Sequence, residues 1–72
     1  MTLDARIRCW RKFRKLSQRT FGTRIGVSGA TVAQWERGST SPTQANLEKL
    51  VAALELTMEQ FFGATPECEE AA

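Results

Sequence analysis

Few side chains in this sequence have the chemistry of catalysis or metal binding. It has no histidine, and its two cysteines, Cys9 and Cys68, are far apart and belong to no CxxC pair. Neither thiol therefore has the ligand spacing of a zinc site or a base to activate it. No glycine-rich phosphate loop is present, and no carboxylates are paired in an apolar setting. These absences predict no enzyme activity, no metal and no other cofactor. For a protein in the cytosol we expect two reduced thiols, with a Cys9–Cys68 disulfide as the alternative.

The polar groups that remain are suited to hydrogen bonding with a partner molecule. Gln34 lies on a short polar face beside the regular apolar face formed by Val32 and Trp35. Its carboxamide can donate and accept hydrogen bonds at once. The simpler interpretation, a solvated glutamine on an exposed helix, leaves this narrow polar face unexplained.

Two short helices joined by a tight turn must position this polar face. Ser17 can cap the first helix, whose inward residues Phe21 and Ile25 lie at i and i+4. Gly26 can end it in the left-handed conformation that costs glycine least, and Ser28 can cap the second helix. A bend of about three residues between helices that share a small core is a helix-turn-helix. Such a motif presents its second helix outward, which favours a DNA major groove as the partner.

The apolar periodicity predicts one all-α domain over residues 1–63. The expected helices are about 3–14, 18–25, 29–36, 43–54 and 58–62. Ser41 or Thr43 can cap the fourth helix and Thr57 the fifth. Gly22 lies where a side chain would keep the second and third helices apart. Residues 64–72 are acidic, and we expect them to form a disordered tail.

Charge is distributed unevenly along the chain. Residues 1–37 hold nine of the ten Lys and Arg residues and two acids, a balance of +7, whereas residues 38–72 hold one lysine and six acids, a balance of −5. A dipolar domain approaches a polyanion in one orientation, so this asymmetry together with the helix-turn-helix indicates a nucleic-acid partner. No apolar run is long enough for a membrane span and no secretory signal is present, which predicts a cytoplasmic protein.

Five fragments resemble the lambda-repressor and Cro-type helix-turn-helix family, also called the xenobiotic-response-element family. They are IRxWRKxRKLSQ at 7–18 (x being any residue), IGVS at 25–28, TVAQWERG at 31–38, SP at 41–42 and NLEKLVAAL at 46–54. The resemblance covers about residues 5–63 and implies a five-helix lambda-repressor-like fold. It also implies sequence-specific binding of double-stranded DNA and regulation of transcription as a repressor. The partner would be an inverted-repeat operator bound by a homodimer, with helix three in the major groove and no small-molecule ligand.

The resemblance also assigns roles to individual residues. The expected base readers are Gln34, Ala30, Gly29 and Ser28. The expected phosphate contacts are Gln18, Ser17, Thr31, Arg37, Ser39, Ser41 and, secondarily, Arg11. Arg11 and Glu36 match a pair that forms an internal ion pair between helices one and three. The expected dimer interface contains one of Phe61 and Phe62, together with Met58.

The sequence departs from the family pattern at several positions. Strong readers carry Gln, Arg or Lys where this chain has Gly29 and Ala30, so direct readout leans on Gln34, which can pair bidentately with adenine. Lys15 replaces the glycine common after helix one, which predicts a strained turn. Phe13 occupies a position that is usually small.

Several alternatives stay open at this level. The same fold can act as an antitoxin or another protein-binding module that touches DNA only secondarily, or as the N-terminal DNA-binding domain of a longer phage-type repressor. Trp10 and Trp35 have core spacing, which favours packing over stacking on bases. Cys9 and Phe13 either complete the core or form an exposed patch.

Overall fold

The computed structural model describes residues 1–66, and over this range the chain is entirely helical. The helices are α1 (Leu3–Phe13), α2 (Gln18–Ile25), α3 (Gly29–Arg37), α4 (Gln44–Ala53) and α5 (Met58–Phe62). The predicted all-α, five-helix fold is confirmed, and each bound lies within one residue of the expected one. Residues 64–66 follow α5 outside any helix, and the rest of the predicted tail, 67–72, lies outside the described residues.

Each helix begins at a hydroxyl residue in extended conformation. The side-chain oxygen of each cap accepts a hydrogen bond from the backbone N–H three residues further on, which satisfies one orphan donor of the first turn. The five caps are Thr2, Ser17, Ser28, Thr43 and Thr57. Of the two candidates for the fourth helix, Thr43 is therefore the cap. In α1 a hydrogen bond from Thr2 also lowers the pKa of the Asp4 carboxyl.

A single core joins all five helices. Its members are Ile7, Trp10, Phe21, Ile25, Val32, Trp35, Leu50, Val51, Leu54 and Phe61. The expectation that both tryptophans pack in the core is confirmed, since Trp10 is 8% exposed and Trp35 is 3% exposed. The Trp10 indole N–H donates to the Phe61 carbonyl at 3.2 Å, which satisfies this buried donor.

The two residues left open by the sequence differ in burial. Phe13 is 52% exposed and contacts the Trp10 ring edge-on at 5.6 Å between centroids, so it lies outside the core. Cys9 is fully buried and takes part in a disulfide, so the expectation of two reduced thiols is wrong. Cys68 lies outside the described residues.

Gly22 sets the distance between α2 and the turn that leads into α3. A Cβ at this position would lie 2.7 Å from the Val27 carbonyl oxygen and 2.9 Å from that of Ser28. Gly26 then ends α2 in the left-handed conformation with φ of 96°. Both roles were expected from the sequence, and together they fix where α3 begins. No helix within residues 1–66 is long and apolar enough to cross a membrane.

Candidate nucleic-acid interface

The outer face of α3 is open to solvent along its length. Val32 and Trp35 anchor the opposite face in the core, which leaves Ala30, Gln34 and Arg37 exposed. The Gln34 carboxamide makes no hydrogen bond with any other part of residues 1–66. Because its backbone is held by a buried helix face, Gln34 is a donor and acceptor available to a partner.

A buried ion pair fixes the far end of α3 against α1 and α2. Arg11 Nε lies 2.6 Å from Glu36 Oε2, and Arg11 Nη2 donates to Glu36 Oε1 at 3.1 Å. Gln18 Nε2 donates to the same Oε1 at 3.1 Å, and Arg11 Nη1 donates to the Leu16 carbonyl at 2.7 Å. The pair is bidentate, and its side chains are only 10% and 4% exposed. Arg11 and Gln18, both expected at phosphates, thus also hold the scaffold together.

A cationic cavity lies beside this ion pair, where α1, α2 and α3 meet. It has a volume of about 270 Å³ and is lined by Arg8, Arg11, Gln18, Ala33, Glu36 and Arg37. Three guanidinium groups face one carboxylate, so the cavity carries excess positive charge. Arginine matches phosphate oxygens bidentately, which makes this cavity suited to a phosphate group.

Arg8 also lines this cavity, whereas the sequence alone left open whether it only solvates α1 or reaches a phosphate. The sequence carried a signal for it, because Arg8 precedes Arg11 by three residues and so shares its helix face. Reading Arg11 as an inward partner of Glu36 therefore places Arg8 on the same side of α1.

The hydroxyls at the start of α2 and α3 are used for capping. Ser17 and Ser28 accept backbone hydrogen bonds at 3.0 and 3.1 Å. The Ser28 hydroxyl also lies 3.0 Å from that of Thr31. These groups remain at the surface except that Thr31 is half-buried. These hydroxyls therefore act mainly as helix caps, and they remain candidate DNA contacts.

The side-chain position of Gly29 points toward α2, although the residue is only half-buried. A Cβ at this position would lie 3.0 Å from Arg19 Cα and 3.2 Å from Arg19 N. Gly29 therefore permits α3 to pass close to the α2 backbone, and it presents no side chain to a partner. Sequence reasoning treated this glycine as a reading position and did not single out Arg19, because the crossing point of two helices is not visible in a one-dimensional pattern.

The loop after α3 continues the exposed surface. Ser39 and Ser41 are both exposed, as is Arg37 at the end of the helix. The Ser39 N–H donates to the Gln34 carbonyl at 3.0 Å, which closes α3 and fixes the direction of the loop.

The expected dimer residues lie on α5 in different environments. Phe61 is fully buried in the core, and Met58 is half-buried against it. Phe62 is 50% exposed, with the Arg6 guanidinium 5.6 Å above its ring. Arg6 also donates to the Phe61 and Gly63 carbonyls at 2.9 and 2.8 Å. Of the three residues, Phe62 is the one with a large apolar surface available to a second copy.

Solved structures with the same fold are repressor domains. The chain aligns with the P22 c2 repressor in complex with a synthetic operator at a TM-score of 0.78 and 35% identity, covering 88% of this chain and 96% of that one. The solution structure of the DNA-binding domain of the P22 c2 repressor aligns at a TM-score of 0.83 and 33% identity, covering 96% and 92%.

Two curated proteins are similar in sequence. Repressor protein C2 of Salmonella phage P22 is 44% identical over 53 residues, which is 74% of this chain and 24% of that protein. The HTH-type transcriptional regulator DicA of Escherichia coli strain K12 is 40% identical over 55 residues, 76% of this chain and 41% of that protein. The chain thus spans less than half the length of either relative. The family match, described as helix-turn-helix, runs over residues 7–61. Fold, motif and sequence agree that this chain belongs to the helix-turn-helix family, of the lambda-repressor and Cro type.

Proposed function

We propose that this chain binds double-stranded DNA at specific sequences and represses transcription, with α3 in the major groove. The observation that carries the proposal is the exposed face of α3, with Gln34 at its centre and the cationic cavity at its flank. A carboxamide can read the edge of adenine, while the arginines of the cavity hold the phosphates that border the groove. The similarity to a repressor solved with its operator supports the same partner class here. We also propose a cytoplasmic location.

The residue roles follow from this orientation. Gln34 is the main base reader, with Ala30 contacting a thymine methyl and the α3 backbone at Ser28 and Gly29 approaching the bases. The phosphate contacts come from the cavity, the helix starts and the loop, through Arg8, Arg37, Gln18, Ser17, Thr31, Ser39 and Ser41. Arg11 acts first as the partner of Glu36.

Two copies are needed to occupy two successive major grooves. One copy therefore reads one half-site. We propose a homodimer on an inverted repeat, with the exposed ring of Phe62 and the neighbouring Met58 at the interface.

The base-reading role of Gln34 can be tested with a site selected from a random duplex library. Gln34→Ala removes a bidentate pair, which is worth about 1–3 kcal/mol of discrimination at one A·T base pair. We expect fluorescence anisotropy to show weaker binding to the selected site and little change on random duplex. Equal losses on both duplexes would refute the role of Gln34.

Arg37→Ala is the matched comparison on the same helix. Loss of a phosphate contact weakens all sequences alike and reduces the slope of log K against log salt by about 1. A sequence-selective effect of Arg37→Ala would show instead that this residue reads bases.

The dimer has its own test. We expect sedimentation velocity with selected duplex to show two copies per inverted repeat. Phe62→Ser should lower the fraction of duplex that carries two copies. The exposed Phe13→Ser is the control, since Phe13 lies at the end of α1 rather than on α5. A monomer at micromolar concentration, both with and without DNA, would overturn the dimer.

Two other functions have specific support. Gly29 and Ala30 provide no side-chain hydrogen bonds, which suits a protein-binding or antitoxin module with secondary DNA binding. The chain matches only 24% of the phage repressor, which suits the DNA-binding domain of a longer protein. A mobility shift with genomic fragments at low and moderate salt separates the first function from operator binding, and the full reading frame decides the second.

A further inference from the structure

The start of α3 lacks hydrogen-bonding side chains where a recognition helix reads bases. The N-terminal residues of such a helix contact base edges. Here Gly29 has no side chain and Ala30 has only a methyl group, while the Ser28 hydroxyl is engaged with Thr31. This end of the proposed DNA surface therefore has no strong donor of its own.

Arg19 of α2 lies directly against this end. Its Cα and N are 3.0 and 3.2 Å from the point where a Gly29 Cβ would be, and its own Cβ is 3.5 Å from that point. The close approach at this crossing is thus to the Arg19 backbone, and the Arg19 side chain leaves α2 in ordinary van der Waals range of the start of α3.

The Arg19 guanidinium is also uncommitted. The residue is exposed, and its side chain makes no hydrogen bond, ion pair or ring contact with other described residues. The buried arginine Arg11, in contrast, donates to Glu36 and Leu16. An extended arginine side chain without an internal partner keeps all five of its N–H donors for a ligand.

We propose that Arg19 is a specificity-determining residue that reads a guanine at the outer part of each half-site. This inference rests on the proposed function and deepens it. The guanidinium donates to O6 and N7 of guanine in the major groove, the contact that arginine makes with a base most often. Gly29 lets the start of α3 lie against the Arg19 backbone, and this places the base of the Arg19 side chain beside the end of α3 that lacks donors.

A base contact fits the layout better than a phosphate contact. The cationic cavity beside the far end of α3 is already lined by Arg8, Arg11 and Arg37 and is suited to a phosphate group. Arg19 is not among the residues that line that cavity, and its backbone lies against Gly29, the first residue of α3. The arginines of the cavity thus contact the DNA backbone, whereas Arg19 reads a base.

The test compares Arg19→Ala and Arg19→Lys with the control Arg24→Ala. Arg24 is also an exposed arginine of α2 without a side-chain partner among residues 1–66, and it lies about 7.5 Å further along the helix. Binding is measured by anisotropy on the selected site, on every single-base variant of one half-site and on random duplex, over a range of salt. Circular dichroism melts check that all variants are folded.

We expect Arg19→Ala to bind the selected site about 5- to 150-fold more weakly and to lose preference for guanine at one base pair. Its affinity for random duplex and its salt slope should stay close to those of the wild type. Arg19→Lys should keep part of the preference, and Arg24→Ala should keep all of it.

Three results would overturn the inference while leaving DNA binding intact. They are an unchanged base preference in Arg19→Ala, an equal loss on random duplex with a lower salt slope, and an equal effect of Arg24→Ala. A wild-type chain that binds no duplex would instead remove the proposed function, and the role of Arg19 with it.

Discussion

The carboxylate of Glu36 joins three helices through two oxygen atoms. It accepts from Arg11 of α1 and Gln18 of α2 while belonging to α3. A buried charge is tolerated only where its partner and its remaining hydrogen-bonding sites are satisfied. This network therefore fixes the orientation of α3, and removing one member leaves a buried group without its partner.

We predict that Glu36→Ala lowers the free energy of unfolding by about 3–5 kcal/mol, because it leaves the Arg11 guanidinium buried without its counter-charge. Urea denaturation followed by circular dichroism measures this change. The double variant Arg11→Met/Glu36→Leu should recover much of the loss, since it replaces the pair with apolar side chains.

Glu48→Ala is the control, because Glu48 is exposed on α4 and its partner is the exposed Gln44. Such surface pairs contribute about 0–1 kcal/mol. A Glu36→Ala loss as small as that of Glu48→Ala would contradict the assigned role of the ion pair.

Single residues differ in how far the sequence could place them. Gln34 was predictable because it lies two residues after Val32 and one before Trp35, which places it off their buried helix face. Arg19 and Gly29 were not, because their contact depends on where two helices cross. That crossing is set by the close approach at Gly22, which is a three-dimensional property.

At the scale of elements, α1 and α4 end with the same strained turn. Lys15 and Glu55 have φ of 60° and 63°, in the left-handed region that disfavours residues with a Cβ. The following leucines, Leu16 and Leu56, each donate to a carbonyl five residues back, at 3.2 and 3.1 Å. This is the Schellman arrangement, in which glycine is the usual residue.

We predict that Lys15→Gly and Glu55→Gly each raise the free energy of unfolding by about 0.5–1 kcal/mol. Glycine removes the penalty of the left-handed conformation, and the greater conformational entropy of glycine in the unfolded chain offsets part of that gain. Thermal and urea denaturation measure the change. Lys12→Gly, within α1 in a right-handed turn, should instead lower the stability by about 1 kcal/mol. Destabilisation by all three glycines would rule out strain at Lys15 and Glu55.

The helices themselves were the most predictable level of the structure. Their starts coincide with hydroxyl caps and their lengths follow the apolar stripe, so local rules fix both ends. The exposure of Phe13 was not predictable, because Cys9 and Phe13 lie four residues apart on one face and only the packing of the other helices decides which is covered. The disulfide of Cys9 likewise has no local signal in the spacing of the cysteines.

At the scale of the whole molecule, charge is separated between the two halves of the sequence. Residues 1–37 carry +7 and contain α1, α2 and all of α3, while residues 38–72 carry −5. Such a dipole orients the molecule toward a polyanion before contact is made. Association with DNA should then depend on this field as well as on base contacts.

We predict a steep loss of DNA affinity with salt. A protein that makes 6–10 phosphate contacts loses about 10³–10⁵ in affinity between about 50 and 200 mM salt. Anisotropy titrations on selected and random duplex should both show this slope, and a far-ultraviolet spectrum at each salt concentration serves as the control for folding. An affinity that does not change with salt would contradict phosphate binding.

The burial of both indoles has a practical consequence for optical studies. Trp10 and Trp35 are the only tryptophans, there is no tyrosine, and both rings are shielded from solvent. Intrinsic fluorescence therefore reports on the interior alone. Trp35 lies on the buried face of α3, the helix proposed to enter the major groove. A shift of its emission maximum when DNA binds would therefore mean that α3 has moved relative to the core. An unchanged emission maximum would mean that the domain docks as a rigid body.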